Sequence, residues 1–134
     1  MANLDIIRSI DIEDVIRQAL NGYFNIYCRP LPKNFTTPCL EVQKVGGDDL
    51  NTIDTFDVVI DSRAKSDADA DLQLRNAIGV LKAIAKGQET PLRHITVNSS
   101  GSWGSDPVRP DLAMCSARLR VVAHQEKITL TGGN

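Results

Sequence analysis

The residues able to do chemistry are present in this chain, but their spacing does not gather them into a site. Asp67, Asp69 and Asp71 imitate the opening ligands of a calcium loop. Leu72 stands where that loop needs glycine, and Ile78 where it needs a bidentate glutamate. Acids at the start of a helix, facing its positive end, are the plainer reading. His94 and His124 are far apart, and neither has a second histidine or cysteine at ligand spacing. The serine-rich NSSGSWGSD lacks the G-x-S-x-G elbow, and no G-x-x-x-x-G-K-[ST] phosphate loop occurs. Cys28, Cys39 and Cys115 form no C-x-x-C pair, and two of them sit in apolar, strand-like runs. Without an electropositive setting a thiol stays protonated and unreactive. The expectation is a protein with no catalytic, cofactor-binding or metal residue, whose cysteines are reduced thiols.

Residues suited to binding stand out more. Arg118 and Arg120 project from one face of a strand and, with Arg93, Arg109 and Lys44, could form a basic patch or simply a solvated sheet face. Trp103 is the only tryptophan; flanked by glycine and serine, it plugs the edge of its own core or anchors another protein. In the arm at 24–38, Tyr27, Leu31 and Phe35 alternate with Pro30, Pro32 and Pro38. The prolines forbid a helix and keep the arm extended, as a wrapped edge or a docking strip.

The elements that would position these residues are organised around Asp54–Gly87. In TFDVVIDSRA, Phe56, Val58 and Ile60 make one apolar face at the two-residue period of a strand. Ala70, Leu74, Ala77, Ile78, Leu81, Ile84 and Ala85 then follow helical spacing, with Ser66 or Asp67 as cap and Lys82, Lys86 and Gly87 at the far end. Ile12, Val15, Ile16, Ala19, Leu20 and Tyr23 predict a shorter first helix capped by Ser9 or Asp11. CLEVQKV predicts a strand stopping at Gly46-Gly47, joined by the polar GGDDLNTID to an antiparallel neighbour. PLRHITVNSS predicts a strand with Leu92, His94 and Thr96 on one face, followed by a long loop at about 98–111. LAMCSARLRVVAH predicts a last long strand with Ala113, Cys115, Ala117, Leu119 and Val121 inward. EKITLTGGN adds a short strand or frays.

The expected fold is therefore α+β: a mostly antiparallel sheet of about four strands with two helices on one face, in the order α-β-β-α-β-β. At 134 residues, the chain reads as a single domain spanning 1–134. A net charge of −2 and a 24% charged share carry no basic excess to attract nucleic acid or an anionic membrane. MANLDIIRSIDIED has no basic start leading into an apolar run, and no window approaches the roughly 18 apolar residues of a membrane span. The expectation is a mature chain beginning at Met1 or Ala2, in the cytoplasm.

The short first helix, the proline-rich arm, a strand closing on Val45–Gly47, the FDVVIDSRA strand and the alanine-bearing helix together resemble the tail terminator, or head-to-tail joining, proteins of long-tailed bacteriophages. The resemblance spans about Asp11 to His124 and rests on organisation rather than on one diagnostic motif. It implies a structural protein without catalytic residues that forms a ring, typically a hexamer. Such a ring caps the tail tube, docks it to the head connector and lets DNA pass, placing the protein in the virion after synthesis in the host cytoplasm. It further implies that Leu31, Phe35, Trp103 and Arg109 contact neighbouring subunits or partners, and that Arg118 and Arg120 face the channel. The alternatives are another phage neck or minor tail protein, a non-viral protein-binding adaptor, or a small enzyme assembling Cys, His and Asp from separate strands.

Overall fold

The computed structural model describes residues 2–50, 53–107 and 109–132, and the side chains at 49, 50, 100–103 and 105 are outside that description. Along the chain come β1 (Asn3–Arg8), α1 (Ile12–Leu20), β2 (Ile26–Cys28), β3 (Cys39–Leu50) and β4 (Ile53–Ala64). Then follow α2 (Asp67–Gly87), β5 (Leu92–Ser105), β6 (Ala113–His124) and β7 (Glu126–Thr131). Five strands form one sheet in the order β2-β3-β4-β6-β5, and β1 pairs with β7 in a separate two-stranded sheet.

This corrects the expected four-stranded sheet and its α-β-β-α-β-β order. The fold remains a mixture of helix and sheet, but with two helices and seven strands in two sheets among the described residues. The larger sheet is mixed, because β2 runs parallel to β3. Parallel neighbours need a crossover of about a dozen residues, usually helical. Here the proline-bearing segment 29–38 makes that return without a helix, bringing Leu40 N–H to within 2.8 Å of the Asn25 carbonyl.

The core lies between the sheet and both helices. Phe56, Val58 and Ile60 of β4 face it, as do Cys115, Ala117, Leu119, Val121 and Ala123 of β6. From above, α2 contributes Ala70, Leu74, Ala77, Ile78, Leu81 and Ala85, and α1 contributes Ile12, Ile16 and Leu20. The caps follow from sequence: Asp11 Oδ1 accepts from Asp14 N–H at 3.2 Å and Ser66 Oγ from Asp69 N–H at 3.1 Å. At the C-terminal end of α2 the left-handed residue is Gln88, with φ 59°, and Gly87 remains helical. Tyr23, assigned by period to the first apolar stripe, lies beyond α1 and is exposed.

Two expected connections are strand instead. β3 does not stop at Gly46-Gly47 but pairs with β4 as far as Leu50–Ile53, with a bulge between Lys44 and Gly46. Gly47 has φ 145°, and a Cβ there would stand 2.3 Å from the Thr55 carbonyl oxygen. The glycines thus mark a tight approach within a long hairpin rather than its turn. Likewise β5 runs through the segment expected to be a loop, paired with β6 to Ser105–Ala113. Its register shifts at Leu92/His94, Val97/Ser99 and Ser100/Ser102. The first shift puts Leu92 and Ile95 in the core and leaves His94 exposed, breaking the alternation that placed Leu92 and His94 together.

Candidate assembly surfaces

The side of the sheet away from the helices carries most of the residues singled out for binding. Asp57, Val59, Asp61 and Arg63 of β4 lie there beside Arg120, Arg118, Ser116 and Met114 of β6. The expected register of Arg118 and Arg120 holds, and both are exposed. Their charge is largely offset. Arg120 Nε pairs with Asp57 Oδ1 at 3.3 Å, and Asp61 accepts a hydrogen bond from Ser116 Oγ. Glu41, Asp57 and Asp61 stand against Arg63, Arg118 and Arg120, and only Arg118 of these cations has no carboxylate partner among the described residues. The face is therefore close to neutral, and a polyanion would find little excess charge on it.

The arm folds over one end of this face. Phe35 is 8% exposed and packs with Cys39 and Leu112, with Tyr27 and Leu31 partly buried against them. The ring lies between two guanidinium groups, 5.9 Å from Arg63 and 5.8 Å from Arg109. Beneath it Arg63 is itself buried, bonded to Asp106 Oδ2 at 2.8 Å and Glu41 Oε1 at 3.0 Å. Arg109 is exposed and forked onto Asp111 at 3.2 and 3.1 Å. Asn25 Nδ2 donates to both the carbonyl and the hydroxyl of Thr36 at 2.9 Å. Leu31, Phe35 and Arg109, expected to meet neighbouring subunits or partners, lie together here around a small second core that holds the chain's own arm. Trp103 lies opposite Cys115 in the strand ladder, and its side chain falls outside the described residues.

The free edge of β3 is also occupied. β2 pairs only with Leu40, Glu41 and Val42. At the next step Lys44 N–H donates to Glu13 Oε2 at 2.9 Å, and Arg29 Nε reaches the same oxygen at 3.0 Å. A helix side chain thus blunts this edge of β3 against pairing with another chain.

Two features escaped the sequence reading. One is a groove of about 490 Å³ at the end of the sheet where α2 begins, with Phe24, Pro38, Ala64 and Leu72 supplying its apolar wall. Gln73, on its floor, donates to Ser62 Oγ at 2.8 Å and the Cys39 carbonyl at 2.9 Å, which fixes α2 to the sheet there. Leu72, on the rim, is 48% exposed.

The other is the β1–β7 ribbon. Leu4 pairs with Leu130 and Ile6 with Ile128, so the four share one face, while Asn3, Asp5, Ile7, Lys127, Thr129 and Thr131 lie on the other. Leu4 is 62% exposed and Leu130 47%. Apart from one another, β1 and β7 make no more than glancing contact with any helix or strand of the described residues. The signal in the sequence was weak because the pairing joins residues 118 apart at Arg8–Glu126 and more elsewhere.

Neither a scan against protein-family models nor a search of curated proteins finds a match to this chain.

The chemistry-bearing residues stay dispersed. Among the described residues no three His, Cys, Asp or Glu side chains gather where they could hold a metal ion. Burial pushes the Cys39 and Cys115 thiols up to about 11, and burial with nearby Glu13 also raises Cys28. All three are thiols rather than thiolates at neutral pH. Asp54, 2% exposed, accepts from Gln125 Nε2 at 2.8 Å through Oδ1, while Oδ2 has no hydrogen-bond partner among the described residues. It borders a cavity of about 160 Å³ shared with Ser9, Lys44 and Asp48, room for a few ordered waters. No described helix is long and apolar enough to cross a membrane.

Proposed function

We propose that this protein is a structural assembly subunit, working as a ring of identical copies in the manner of the tail terminator or head-to-tail joining proteins of long-tailed bacteriophages. The observation that carries the reading is the ribbon. Two short strands alone are marginal in water and need a third strand or an apolar cover. On its apolar face Leu4 and Leu130 stay exposed and Ile6 and Ile128 half-buried, beside a body that has its own core. A chain built this way buries that face on another protein.

The resemblance supplies the particular setting. Phe56–Arg63 fall within β4, the middle strand of the large sheet, and Ala68–Ile84 fall within α2. Val45–Gly47 lie in the β3 bulge rather than in a turn, so this part of the resemblance rests on sequence alone. In the proposed role the ring caps the tail tube, joins it to the head connector and passes DNA through its centre. The nearly neutral sheet face bearing Arg118 and Arg120 suits a surface along which DNA slides without sticking. Six copies are the number the resemblance implies.

Negative-stain imaging of the protein mixed with purified tail tubes of a long-tailed phage tests the role. Rings seated at one tube end are expected; tube ends left bare by a protein that forms rings would overturn the capping role.

A further inference from the structure

The ribbon and the groove lie at opposite ends of the same sheet. β6 leaves the sheet at His124, opposite Ile53, and continues after one residue into β7. The groove lies at the other end, where Ala64 pairs with Ala113 and the chain turns into α2. The strand between them, Ala113–His124, is 12 residues long, or about 36 Å at roughly 3.3 Å per residue. A ribbon of six residues per strand cannot reach back over that distance to its own groove.

We infer that the apolar face of the β1–β7 ribbon docks into the groove lined by Phe24, Pro38, Ala64 and Leu72 of a second copy of this chain. The inference rests on the assembly reading above and specifies its joint. Both surfaces are apolar with few charges: Leu4, Ile6, Ile128 and Leu130 on one, and a groove carrying Lys65 and Asp69 at its polar margin on the other. The Arg8–Glu126 pair closes the base of the ribbon at 2.6 Å, so its own charges are matched before docking. The two surfaces differ, so the contact is heterologous, and each copy gives one ribbon and receives another. Repetition of such a contact closes into a ring or runs on as a filament.

Area separates a pair from a ring. A ribbon about 20 Å long and 10 Å wide covers roughly 200 Å² per side, or about 400 Å² for both, against the roughly 1,200 Å² at which stable interfaces begin. One joint alone makes a transient dimer. A closed ring leaves no joint unmade, so assembly sets in cooperatively with concentration.

Disulfide trapping tests the joint. Leu4→Cys and Leu72→Cys are made separately in a Cys28→Ser background, where the remaining Cys39 and Cys115 are buried. Oxidation of the two mixed proteins is expected to link Leu4→Cys of one copy to Leu72→Cys of another, with neither protein linking to itself. Efficient linking within Leu4→Cys alone would mean ribbon-to-ribbon pairing and overturn the joint. An oligomer by light scattering that gives no mixed link would also overturn the joint while leaving assembly standing. A protein that remains monomeric by light scattering at every concentration would overturn the assembly reading itself, and the joint with it.

Discussion

Arg63 shows how a residue whose sequence position promises only a polar strand face can hold an element in place. Its guanidinium sits under Phe35 and between Glu41 and Asp106, residues 22 and 43 positions away. Those separations are why the triad could not be read from the chain: alternation gives the face, not the partner. Arg63→Ala is expected to cost about 3–5 kcal/mol in urea unfolding, because two acids lose their shared countercharge in a poorly hydrated place. Cys115 was legible as a buried thiol because it lies on the apolar face of β6, whereas Cys39 shares a face with Glu41 and Arg63 and is buried there by Phe35 and Leu112. Their titration has a consequence of definite sign. An unfolded thiol releases its proton near its ordinary value, whereas Cys115 keeps its proton to about 11. The associated stability is complete below pH 9 and is lost as the pH rises toward 11. Its size is roughly 2–3 kcal/mol. Cys115→Ala should therefore be less stable than the parent at pH 8, with the gap narrowing at pH 10 in paired denaturation curves.

At the scale of elements, strong periodicity was readable and weak propensity misled. The α2 stripe and the inward faces of β4 and β6 follow spacing that only a covered helix or half-covered strand explains. Glycine and serine pointed the other way at Gly46-Gly47 and in NSSGSWGSD, where strand pairing overrode local preference. The bulges at those places keep long strands twisted and leave room for small residues. Gly47→Ala tests the first case. Its Cβ would meet the Thr55 carbonyl oxygen in a backbone conformation that L side chains rarely adopt, so a loss of about 2 kcal/mol or more is expected. Measured stability within about 0.5 kcal/mol of the parent, the usual range for a neutral surface change, would show that the hairpin relaxes there. The pairing of β1 with β7 was illegible for another reason. NLDIIR has no clean alternation, and its partner lies at the other end of the chain.

For the whole molecule, the small net charge of −2 offers no long-range steering, so the proposed assembly would rest on shape and apolar area. The body is complete without its ribbon, which separates the requirements of folding from those of assembly. Leu4→Asp should leave the unfolding midpoint nearly unchanged, because Leu4 is 62% exposed and lies outside the core cluster. The same change should oppose burial of the ribbon face, since a carboxylate there would lose its hydration. The most direct measurement is molar mass by light scattering across a concentration series, for the parent and for Leu4→Asp. A parent that rises cooperatively to one closed oligomer, beside a folded Leu4→Asp that stays monomeric, is the expected result. A parent that stays monomeric throughout, or a Leu4→Asp variant that assembles equally well, would contradict the claim that the ribbon drives assembly.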